Sequence, residues 1–529
     1  MVSGPALVTR EEHGPTSLAD IALRRAQRDS TTPFLLTIEE HEPFDVRALT
    51  YGQIATRAAA LALALAAAGM APGERIGCYL SNSPSWVVAS LAVWWNGGVV
   101  AAAGTLLPGI EAGRLFELAD VKRVLTVAES PALPADYEVL RIEGDGRVEG
   151  TPDPGDSGWE DATLTLPSAD DLAVAIFTSG TTGRPKGVTH THGDVVAAAR
   201  RVAAAYARDS SYRPDPAPAH LAPGVVFNPF GHMAGYSRLA FRMWIGRPTV
   251  IVPKFTVAAV QALLSRFEMD SLQLTPTMIH MLALSEESFD LGGVKYVTSG
   301  TAPLATDTRE RFEARYGVPV MQAYGSTELG AVAQERYDDV VAGRRGSGSV
   351  GRVAAGVEVK IRHLDDDRPI GEGEILVRTD EASREFIGGE PVPVDADDWF
   401  ATGDVGRIDD GILFITGRLQ EKIIVGGFNV YPAEVEDVAR RSQLVRDAVV
   451  VAVPDERLGE LPVAGIVWAD EPDEPKLLEE MRANLAHYKV PRAFFSIAAV
   501  PLTPRDKIDR RRVTELAHAA LGVATNADA

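Results

Sequence analysis

A short segment of the chain has the composition of a polyphosphate-binding loop. The residues from Thr178 to Val188, TSGTTGRPKGV, hold three glycines, four hydroxyl side chains and one lysine within eleven residues. Glycines let the backbone approach a ligand, while amide and hydroxyl groups donate to phosphate oxygens and Lys186 adds charge. The Walker pattern G-x-x-x-x-G-K-[ST] is absent. Taken alone, the segment could also be an ordinary Gly/Ser/Thr-rich turn.

Further segments, in order along the chain, resemble the ANL superfamily of adenylate-forming enzymes, which includes acyl-CoA synthetases, peptide-synthetase adenylation domains and luciferases. They run from LTYGQIATRAA at Leu49 to DKIDRRRV at Asp506, so the resemblance covers nearly the whole chain. It implies an enzyme that activates a small carboxylic acid as an acyl-AMP, releases pyrophosphate, and passes the acyl group to coenzyme A. ATP and Mg²⁺ are implied, with coenzyme A as a co-substrate.

The resemblance also assigns a nucleotide site. The glycine-rich loop is expected to hold the β- and γ-phosphates of ATP, and Tyr324 is expected beside the adenine. Asp404 is expected to accept hydrogen bonds from both ribose hydroxyls, which one carboxylate can do. An isolated Asp or Arg is usually a surface charge, so these roles depend on the surrounding motifs. The residues assigned to ATP are Thr178, Ser179, Gly180, Thr181, Thr182, Gly183, Lys186, Gly300, Thr301, Ala302, Gln322, Tyr324, Asp404 and Arg418.

Three further positions are implicated in the chemistry. By resemblance, Thr327 contacts the α-phosphate and Glu328 ligates Mg²⁺, which takes one or two carboxylates when phosphates supply the other ligands. Lys507 occupies the position of the family's adenylation lysine. An ammonium there stabilises the negative charge that accumulates when a carboxylate attacks the α-phosphorus. Asp506 precedes it where the family usually has glycine. The alternatives are a solvated loop glutamate and a plain surface lysine.

The acyl and acceptor sites are less strongly marked. FNPFGHMAGY, residues 227–236, resembles the family segment that gates the acyl site, which makes His232 the gate candidate. An apolar lining would favour an uncharged aryl or short-to-medium acyl tail. Gly426 and Gly427 are candidates for the acceptor tunnel, although a tight turn between two strands is an alternative. The remaining pocket candidates are Phe230, Met233, Gly235, Tyr236, Gly325 and Ser326.

The order of apolar runs predicts an α/β fold in two domains. Short buried-strand runs such as Arg75–Leu80 and Leu172–Ser179 alternate with helical patterns up to about Ile415, which is typical of largely parallel sheets. A new strand, turn and capped helix then begin. We therefore expect a large N-terminal domain of several subdomains at 1–418 and a small mobile α+β domain at 419–529, with a hinge near Gln420.

The composition of the chain limits which kinds of binding partner and which cellular location are expected. Lys and Arg total 52 against 73 Asp and Glu, for a formal net charge of -21, which disfavours nucleic acid. The apolar stretch Ala58–Met70 has 13 residues, short of the ~20 that span a bilayer. Cys78 is the only cysteine, and the N-terminus lacks a secretory signal, so a cytoplasmic protein is expected. No feature of the sequence fixes the oligomeric state.

Two other functions stay open. The acceptor could be a carrier-protein thiol, an amine, or nitrite, as in ATP-dependent diazotases of specialised metabolism. Two departures keep this alternative open: Gln420, where the family usually has Asp or Lys, and Asp506. The chain could instead be a nucleotide-binding module without catalysis. The presence of a full set of charged motif residues favours catalysis; these are Lys186, Glu328, Asp404, Arg418 and Lys507.

Overall fold

The computed structural model describes most of the chain. The described residues are 2–3, 15–38, 46–134, 136–151, 155, 164–179, 185–207, 222–287, 289–346, 348–364, 371–426, 428–455, 457–503 and 507–522.

The described residues form helices and strands in alternation. The helices are α1 Leu18–Asp29, α2 Tyr51–Ala67, α3 Pro84–Trp95, α4 Gly109–Leu118, α5 His192–Ala207, α6 Met233–Ile245, α7 Val257–Arg266, α8 Pro276–Leu284, α9 Thr306–Tyr316, α10 Tyr337–Val341, α11 Pro432–Arg440, α12 Glu474–Asn484 and α13 Arg510–Leu521. The strands are β1 Val2–Ser3, β2 Pro33–Ile38, β3 Val46–Thr50, β4 Arg75–Leu80, β5 Val99–Gly104, β6 Arg123–Thr126, β7 Glu138–Arg141, β8 Leu172–Ser179, β9 Pro185–Thr191, β10 Gly224–Val226, β11 Thr249–Ile251, β12 Ser271–Leu274, β13 Tyr296–Ser299, β14 Val320–Ser326, β15 Gly330–Gln334, β16 Ser349–Val353, β17 Val357–His363, β18 Glu372–Thr379, β19 Phe400–Asp409, β20 Ile412–Arg418, β21 Ile423–Val425, β22 Phe428–Val430, β23 Val445–Asp455, β24 Gly459–Trp468 and β25 Phe494–Ser496.

The first layer is a six-stranded sheet in the order β7-β6-β4-β5-β8-β9. Its strands are parallel except for the antiparallel hairpin of β8 and β9. The predicted strands at Arg75–Leu80 and Leu172–Ser179 are confirmed with the same bounds. Strands that are covered on both faces read as continuous apolar runs, which is why these two were visible in the sequence. The two strands of the β8–β9 hairpin carry Thr178 and Lys186, two of the predicted phosphate-binding residues.

Two more sheets complete the large domain. A four-stranded sheet has the order β10-β11-β2-β3, and a ten-stranded sheet has the order β1-β17-β18-β19-β20-β16-β15-β14-β13-β12. Strands β12, β13 and β14 are parallel, so Ser299 at the end of β13 lies opposite Gln322 in β14. Ligands of open α/β sheets bind outside the carboxyl ends of parallel strands. The segments that follow β13 and β14 therefore lie at the edge of the sheet where a ligand is expected to bind.

The small domain is a separate α+β unit. The large sheet ends with β20 at Arg418, a 3₁₀ turn covers Leu419–Glu421, and a five-stranded sheet begins with β21 at Ile423. The predicted capped helix begins at Pro432 as expected, since a proline fits the first helical turn. Hydrogen bonds of 3.3–3.4 Å join α9 to α11, from Thr306 to Asp437 and from Arg311 to the Arg440 carbonyl.

A buried ion cluster ties together the small domain. Glu436 is buried, and its Oε1 accepts hydrogen bonds from Arg510 Nη1 at 2.6 Å and from the Val450 amide at 2.9 Å. Arg440 lies 3.8 Å from the other carboxylate oxygen. Burial opposes ionisation, but the two guanidinium groups outweigh it and lower the pKa of Glu436 below its ordinary value of 4.5. The cluster therefore stabilises the folded domain while Glu436 is ionised.

We expect Glu436→Gln to lower the free energy of unfolding by about 1.5–3 kcal/mol at pH 7, because it removes the buried carboxylate that Arg510 and Arg440 share, while Arg510 keeps Glu421 and Arg440 keeps Asp447 as partners. A depressed folded-state pKa gives stability that is present above about pH 4.5, the unfolded value, and is lost as the pH falls through the folded value. The deficit of the variant should therefore shrink below pH 4.5 in urea unfolding. Glu434→Gln, whose carboxylate pairs with Lys489 at a more exposed position, is the control and should cost about 1 kcal/mol or less. An equal deficit of Glu436→Gln at pH 7 and pH 3.5 would contradict this reading.

Candidate active site

The β8–β9 hairpin carries the first part of the site. Thr178 and Lys186 lie opposite each other near its tip. The Lys186 ammonium lies 4.6 Å from the centroid of the Phe386 ring, a cation–π contact that orients the lysine. Ser179 ends β8. Gly180, Thr181, Thr182 and Gly183, which were predicted to hold phosphates, lie outside the described residues.

The segment after β13 has a strained backbone. Thr301 has a φ of 75°, in the left-handed region that a β-branched residue rarely adopts. Such strain costs about 1–3 kcal/mol and is concentrated at functional sites. At the preceding Gly300, an added Cβ would lie 3.1 Å from the Ala323 carbonyl oxygen, so the segment packs closely on β14 just before Tyr324. The predicted wall thus packs on β14 at Ala323, the residue before Tyr324 in the chain.

Three predicted nucleotide residues meet in one hydrogen-bonded group. The Tyr324 hydroxyl donates to Asp404 Oδ2 at 2.7 Å, and Arg418 Nε donates to Asp404 Oδ1 at 2.6 Å. Burial, followed by the nearby Asp404 charge, raises the pKa of Tyr324 well above its ordinary value, so its hydroxyl stays a donor. Each carboxylate oxygen can accept more than one hydrogen bond. Asp404 is therefore held in one orientation and keeps capacity for further hydroxyl donors.

Other residues of β14 make contacts that stabilise the large sheet. The Gln322 side-chain amide donates to the Ser349 carbonyl at 3.1 Å, and its backbone amide donates to Glu335 Oε2 at 2.9 Å. Its side chain is thus engaged within the large sheet, and a contact with ATP stays a prediction. At Gly325 an added Cβ would lie 2.0 Å from the Gly330 carbonyl oxygen, so a larger residue cannot be accommodated without a shift. Ser326 Oγ accepts from the Leu329 amide at 3.3 Å and closes the turn.

Thr327 and Glu328 lie in this turn between β14 and β15. The Glu328 carbonyl accepts from the Ser383 amide at 2.7 Å, which fixes the turn and leaves the carboxylate for other partners. Within the described ranges no group of three or more His, Cys, Asp or Glu side chains could hold a metal ion. A single carboxylate fits a magnesium ion whose other ligands are phosphate oxygens and water. Glu328 is the residue that would hold it.

Lys507 lies on a short hairpin of the small domain. Its backbone amide donates to Thr503 Oγ1 at 3.3 Å, and its carbonyl accepts from the Thr503 amide at 2.7 Å. The side chain is exposed. The neighbouring helix α13 begins with Arg510, whose Nε donates to Glu421 in the 3₁₀ turn at 3.2 Å. The hairpin is thus tied to the segment that connects the domains. Asp506 lies outside the described residues.

The predicted acyl-pocket residues fall into two groups. Phe230 and Tyr236 are fully buried core residues, and the Tyr236 hydroxyl is hydrogen-bonded to Ser90 Oγ at 2.9 Å and to Trp86 Nε1 at 3.2 Å. Burial raises the pKa of Tyr236, so it is not an ionised group. Met233 packs against the same core, and an added Cβ at Gly235 would lie 2.4 Å from the Pro229 carbonyl oxygen. Their role as pocket residues stays a prediction.

His232 instead lines a small, partly open cavity. The other lining residues were missed by the sequence reasoning: Ala102, Ala103, Gly104, Leu106, Leu107, Leu115, Phe177, Pro229 and Gly231. Small residues at the carboxyl end of β5, a parallel strand, were the available signal, since that is where open sheets leave room for ligands. The lining is apolar apart from the histidine.

The acceptor candidates lie in the small domain. Gly426 has a φ of 57°, its amide donates to the Leu458 carbonyl at 2.7 Å, and it joins the antiparallel strands β21 and β22. The alternative of a turn between two strands therefore describes its local structure, and the tunnel role stays a prediction. Gly427 lies outside the described residues. Among the described helices, none is both long and apolar enough to cross a membrane.

The large α/β domain carries a glycine-rich hairpin, a tyrosine–aspartate–arginine group and a turn with a carboxylate. A small domain with a lysine follows it. This is the organisation of an adenylate-forming enzyme. Comparison with known proteins gives the family. Residues 24–387 match the model for AMP-binding enzymes, and residues 434–507 match the model for the AMP-binding enzyme C-terminal domain. The chain belongs to the AMP-binding enzyme family.

Similar proteins are known by sequence and by structure. A 3-[(3aS,4S,7aS)-7a-methyl-1,5-dioxo-octahydro-1H-inden-4-yl]propanoyl:CoA ligase of Rhodococcus jostii is 30% identical over 510 residues, which cover 89% of this chain and 94% of the relative. A sulfoacetate–CoA ligase of Cupriavidus necator is 31% identical over 522 residues, with 96% and 98% covered. The solved o-succinylbenzoate CoA synthetase of Bacillus subtilis, in complex with its acyl-adenylate intermediate, is 25% identical with a TM-score of 0.78, and the match covers 93% of this chain and 97% of that one.

Proposed function

We propose that the protein is an ATP-dependent acid–CoA ligase that works in two half-reactions. In the first, a carboxylate oxygen of the acid bonds to the α-phosphorus of ATP, the bond to the β-phosphate oxygen breaks, and pyrophosphate leaves with the electron pair. In the second, the thiol of coenzyme A attacks the acyl carbon and AMP leaves. The observation that carries this proposal is the Tyr324–Asp404–Arg418 group, which joins three predicted nucleotide residues from β14, β19 and β20.

The chain's own residues bind and orient ATP in the first half-reaction. Asp404 accepts from the ribose hydroxyls, with Tyr324 and Arg418 keeping its carboxylate in place. Thr178, Lys186 and the glycine-rich loop hold the β- and γ-phosphates, while Thr327 contacts the α-phosphate. Magnesium, held by Glu328 and phosphate oxygens, would neutralise phosphate charge. Lys507 stabilises the charge that develops between the attacking carboxylate and the leaving pyrophosphate.

The second half-reaction uses the small domain differently. We place the boundary between 418 and 419 and the hinge near Gln420, because the large sheet ends at Arg418 and the next sheet begins at Ile423. The hydrogen bonds from α9 to α11 are 3.3–3.4 Å long, at the weak end of the hydrogen-bond range, so a rotation about this hinge would give up little hydrogen-bond energy between these two helices. Such a rotation would withdraw Lys507 and bring the turn at Gly426 and Gly427 to the thiol.

The residues that line the cavity beside His232 support the proposal that the acid has an uncharged acyl tail. Its lining consists of alanine, glycine, leucine, phenylalanine and proline apart from the histidine, and a charged tail would lose its hydration there without a partner. His232 occupies the N-cap position of α6 and lines this cavity, in keeping with a gate. A cytoplasmic location stays a prediction, which the use of ATP and coenzyme A supports.

The proposal is tested by pyrophosphate release with fatty, aryl and dicarboxylic acids, with and without coenzyme A. Release should require an acid, and an acid with an uncharged tail should be preferred by about tenfold or more over a dicarboxylic acid, since one unpaired buried charge costs well over 1.4 kcal/mol. Coenzyme A should convert the product to a thioester. If no thioester forms with coenzyme A but AMP is formed with a carrier protein, an amine or nitrite, that compound rather than coenzyme A is the acceptor. No acid-dependent release with any acid would indicate a non-catalytic nucleotide-binding module.

A further inference from the structure

The side chain of Asn82 makes three hydrogen bonds to one short segment of the large domain. Its Nδ2 group donates to the Asn228 carbonyl at 2.9 Å and to the Phe227 carbonyl at 3.4 Å. Its Oδ1 atom accepts from the Phe230 amide at 2.8 Å. All three partners are backbone groups. The bonds therefore restrain the path of the segment rather than the position of a single side chain.

The segment 227–232 needs such a partner because it lies between β10 and α6, outside both elements. Buried backbone groups that are not paired within a helix or a sheet must be paired in another way. Phe227, Asn228 and Phe230 are each 3% exposed or less. Pro229, which lies among them, has no amide hydrogen to donate. The Asn82 amide thus satisfies backbone groups on both sides of this proline.

Asn82 is mounted on the six-stranded sheet. It lies between β4 and α3, where the Ser85 amide donates to the Gly144 carbonyl at 3.1 Å and Ser83 Oγ is hydrogen-bonded to Ser85 Oγ at 2.6 Å. The segment that it holds follows β10, a parallel strand of the four-stranded sheet. Asn82 therefore joins the carboxyl ends of two parallel strands from different sheets. Ligands of open α/β sheets bind outside such ends.

The held segment forms part of the cavity described above. Pro229, Gly231 and His232 line the cavity together with residues of β5, among them Gly104. At Gly231 an added Cβ would lie 3.0 Å from the Gly104 amide nitrogen, so the segment already packs closely on the end of β5. It has little room to move toward β5. A displacement would therefore carry it away from that strand and widen the cavity.

We propose that Asn82 is a positioning residue that sets the width of the acyl cavity, an inference that rests on the proposed function of the chain. Its amide holds Pro229, Gly231 and His232 close to β5, so that the cavity discriminates between acids by the bulk of their tails. In a fitted apolar pocket, one methylene group more or less changes kcat/KM by about 10- to 200-fold. The predicted nucleotide residues lie on other segments, so the effect should fall on the acid and not on ATP.

Asn82→Asp tests this role because it removes the amide donors at nearly constant size and keeps an oxygen for the Phe230 amide. The probes are butanoate, octanoate, benzoate and naphthoate in pyrophosphate release. We expect kcat/KM for the best of these acids to fall by about tenfold or more, while the KM for ATP stays within about threefold. The kcat/KM ratios of octanoate to butanoate and of naphthoate to benzoate should rise by about threefold or more, because a wider cavity discriminates less against bulk.

These ratios separate positioning from folding, because a loss of folded protein lowers kcat/KM for every acid by the same factor. The segment also keeps an apolar contact in the variant, since the Phe230 ring lies 6.2 Å from the Trp86 ring between centroids. Asn82→Gln is the second variant. It keeps donor and acceptor but places them about 1.5 Å further from the backbone, so it should shift the same ratios in the same direction. Thermal unfolding gives the folded fraction of each variant.

Asn96→Asp is the matched control. The Asn96 Nδ2 group also donates to two backbone carbonyls, those of Ala62 at 2.9 Å and Ala92 at 3.1 Å, at the other end of α3. Asn96 is not among the residues that line the described cavity. Its substitution removes the same donors and should leave both ratios and the KM for ATP within about twofold of wild type, even if the melting temperature falls.

The outcomes distinguish the inference from the function on which it rests. Wild-type protein that releases no pyrophosphate with any fatty, aryl or dicarboxylic acid overturns both. Wild-type release with unchanged acid ratios in Asn82→Asp overturns the positioning role alone, and Asn82→Gln decides in the same way if Asn82→Asp does not fold. A change of the ratios in Asn96→Asp as well, or a loss confined to the KM for ATP, would contradict the role. Failure of both Asn82 variants to fold would assign the residue to folding and would contradict it too.

Discussion

Lys507→Ala is expected to lower the rate of acid-dependent pyrophosphate release by at least about 100-fold while the dissociation constant for ATP changes by less than about threefold. The ammonium acts on charge that develops only as the carboxylate bonds to phosphorus, so the transition state loses more than bound ATP does. Single-turnover release and calorimetric titration with ATP give the two quantities. Thioester formation from supplied acyl-AMP should be retained, because the lysine is withdrawn in that half-reaction.

Lys476→Ala is the matched control for this prediction. Lys476 is another exposed lysine of the small domain, in the first turn of α12, and its loss changes the net charge by the same amount. It should leave both half-reactions unchanged. Equal loss in the two variants would mean that overall charge, rather than a specific contact, governs the rate. Loss of ATP binding in Lys507→Ala alone would show that the lysine binds ground-state nucleotide and would contradict its assigned role.

Asp404→Asn is expected to weaken ATP binding by about 100-fold, since two hydrogen bonds to a charged acceptor each contribute about 1.5–3 kcal/mol and the neutral amide keeps only one acceptor oxygen. The change also removes the charge that pairs with Arg418 at 2.6 Å. Because Arg418 is more than half exposed, the pair itself contributes little to stability. The KM for ATP should rise while the KM for the acid changes little.

Asp409→Asn tests whether that effect is specific. Asp409 lies at the end of the same strand, β19, is 70% exposed and pairs with Arg407. Its substitution should leave the KM for ATP within about twofold of wild type, because exposed pairs contribute about 1 kcal/mol or less and no nucleotide contact is assigned there. An unchanged KM for ATP in Asp404→Asn would remove the ribose assignment. A rise in both variants would indicate distortion of β19 instead.

Much of the fold could be predicted from the sequence for a definite physical reason. Parallel strands that are covered on both faces need unbroken apolar runs, and RIGCYL and LAVAIFTS supplied them. The helix beginning at Pro432 could be predicted because a proline and acidic side chains favour a helix start. The fold brings together Tyr324, Asp404 and Arg418 from separate strands, and their nucleotide roles stay predictions from the surrounding motifs.

Other parts of the site could not be predicted from the same signals. FNPFGHMAGY contains aromatic residues that suit a pocket or a core equally well, and only the packing shows Phe230 and Tyr236 within the core beside Trp86. Gln322 belongs to a recognisable motif, but its amide is engaged with Ser349 across the sheet. Contacts of this kind depend on tertiary packing.

The most direct test of the account follows the carboxylate oxygen. With an accepted acid labelled with ¹⁸O in both carboxyl oxygens, attack on the α-phosphorus and subsequent thiol transfer should leave one label in AMP and none in pyrophosphate, as read by mass spectrometry of both products. Label in orthophosphate, with formation of ADP, would show attack on the γ-phosphorus and an acyl phosphate instead. Unlabelled AMP would show that water, rather than the acid, attacks ATP, and either result would contradict the adenylate mechanism.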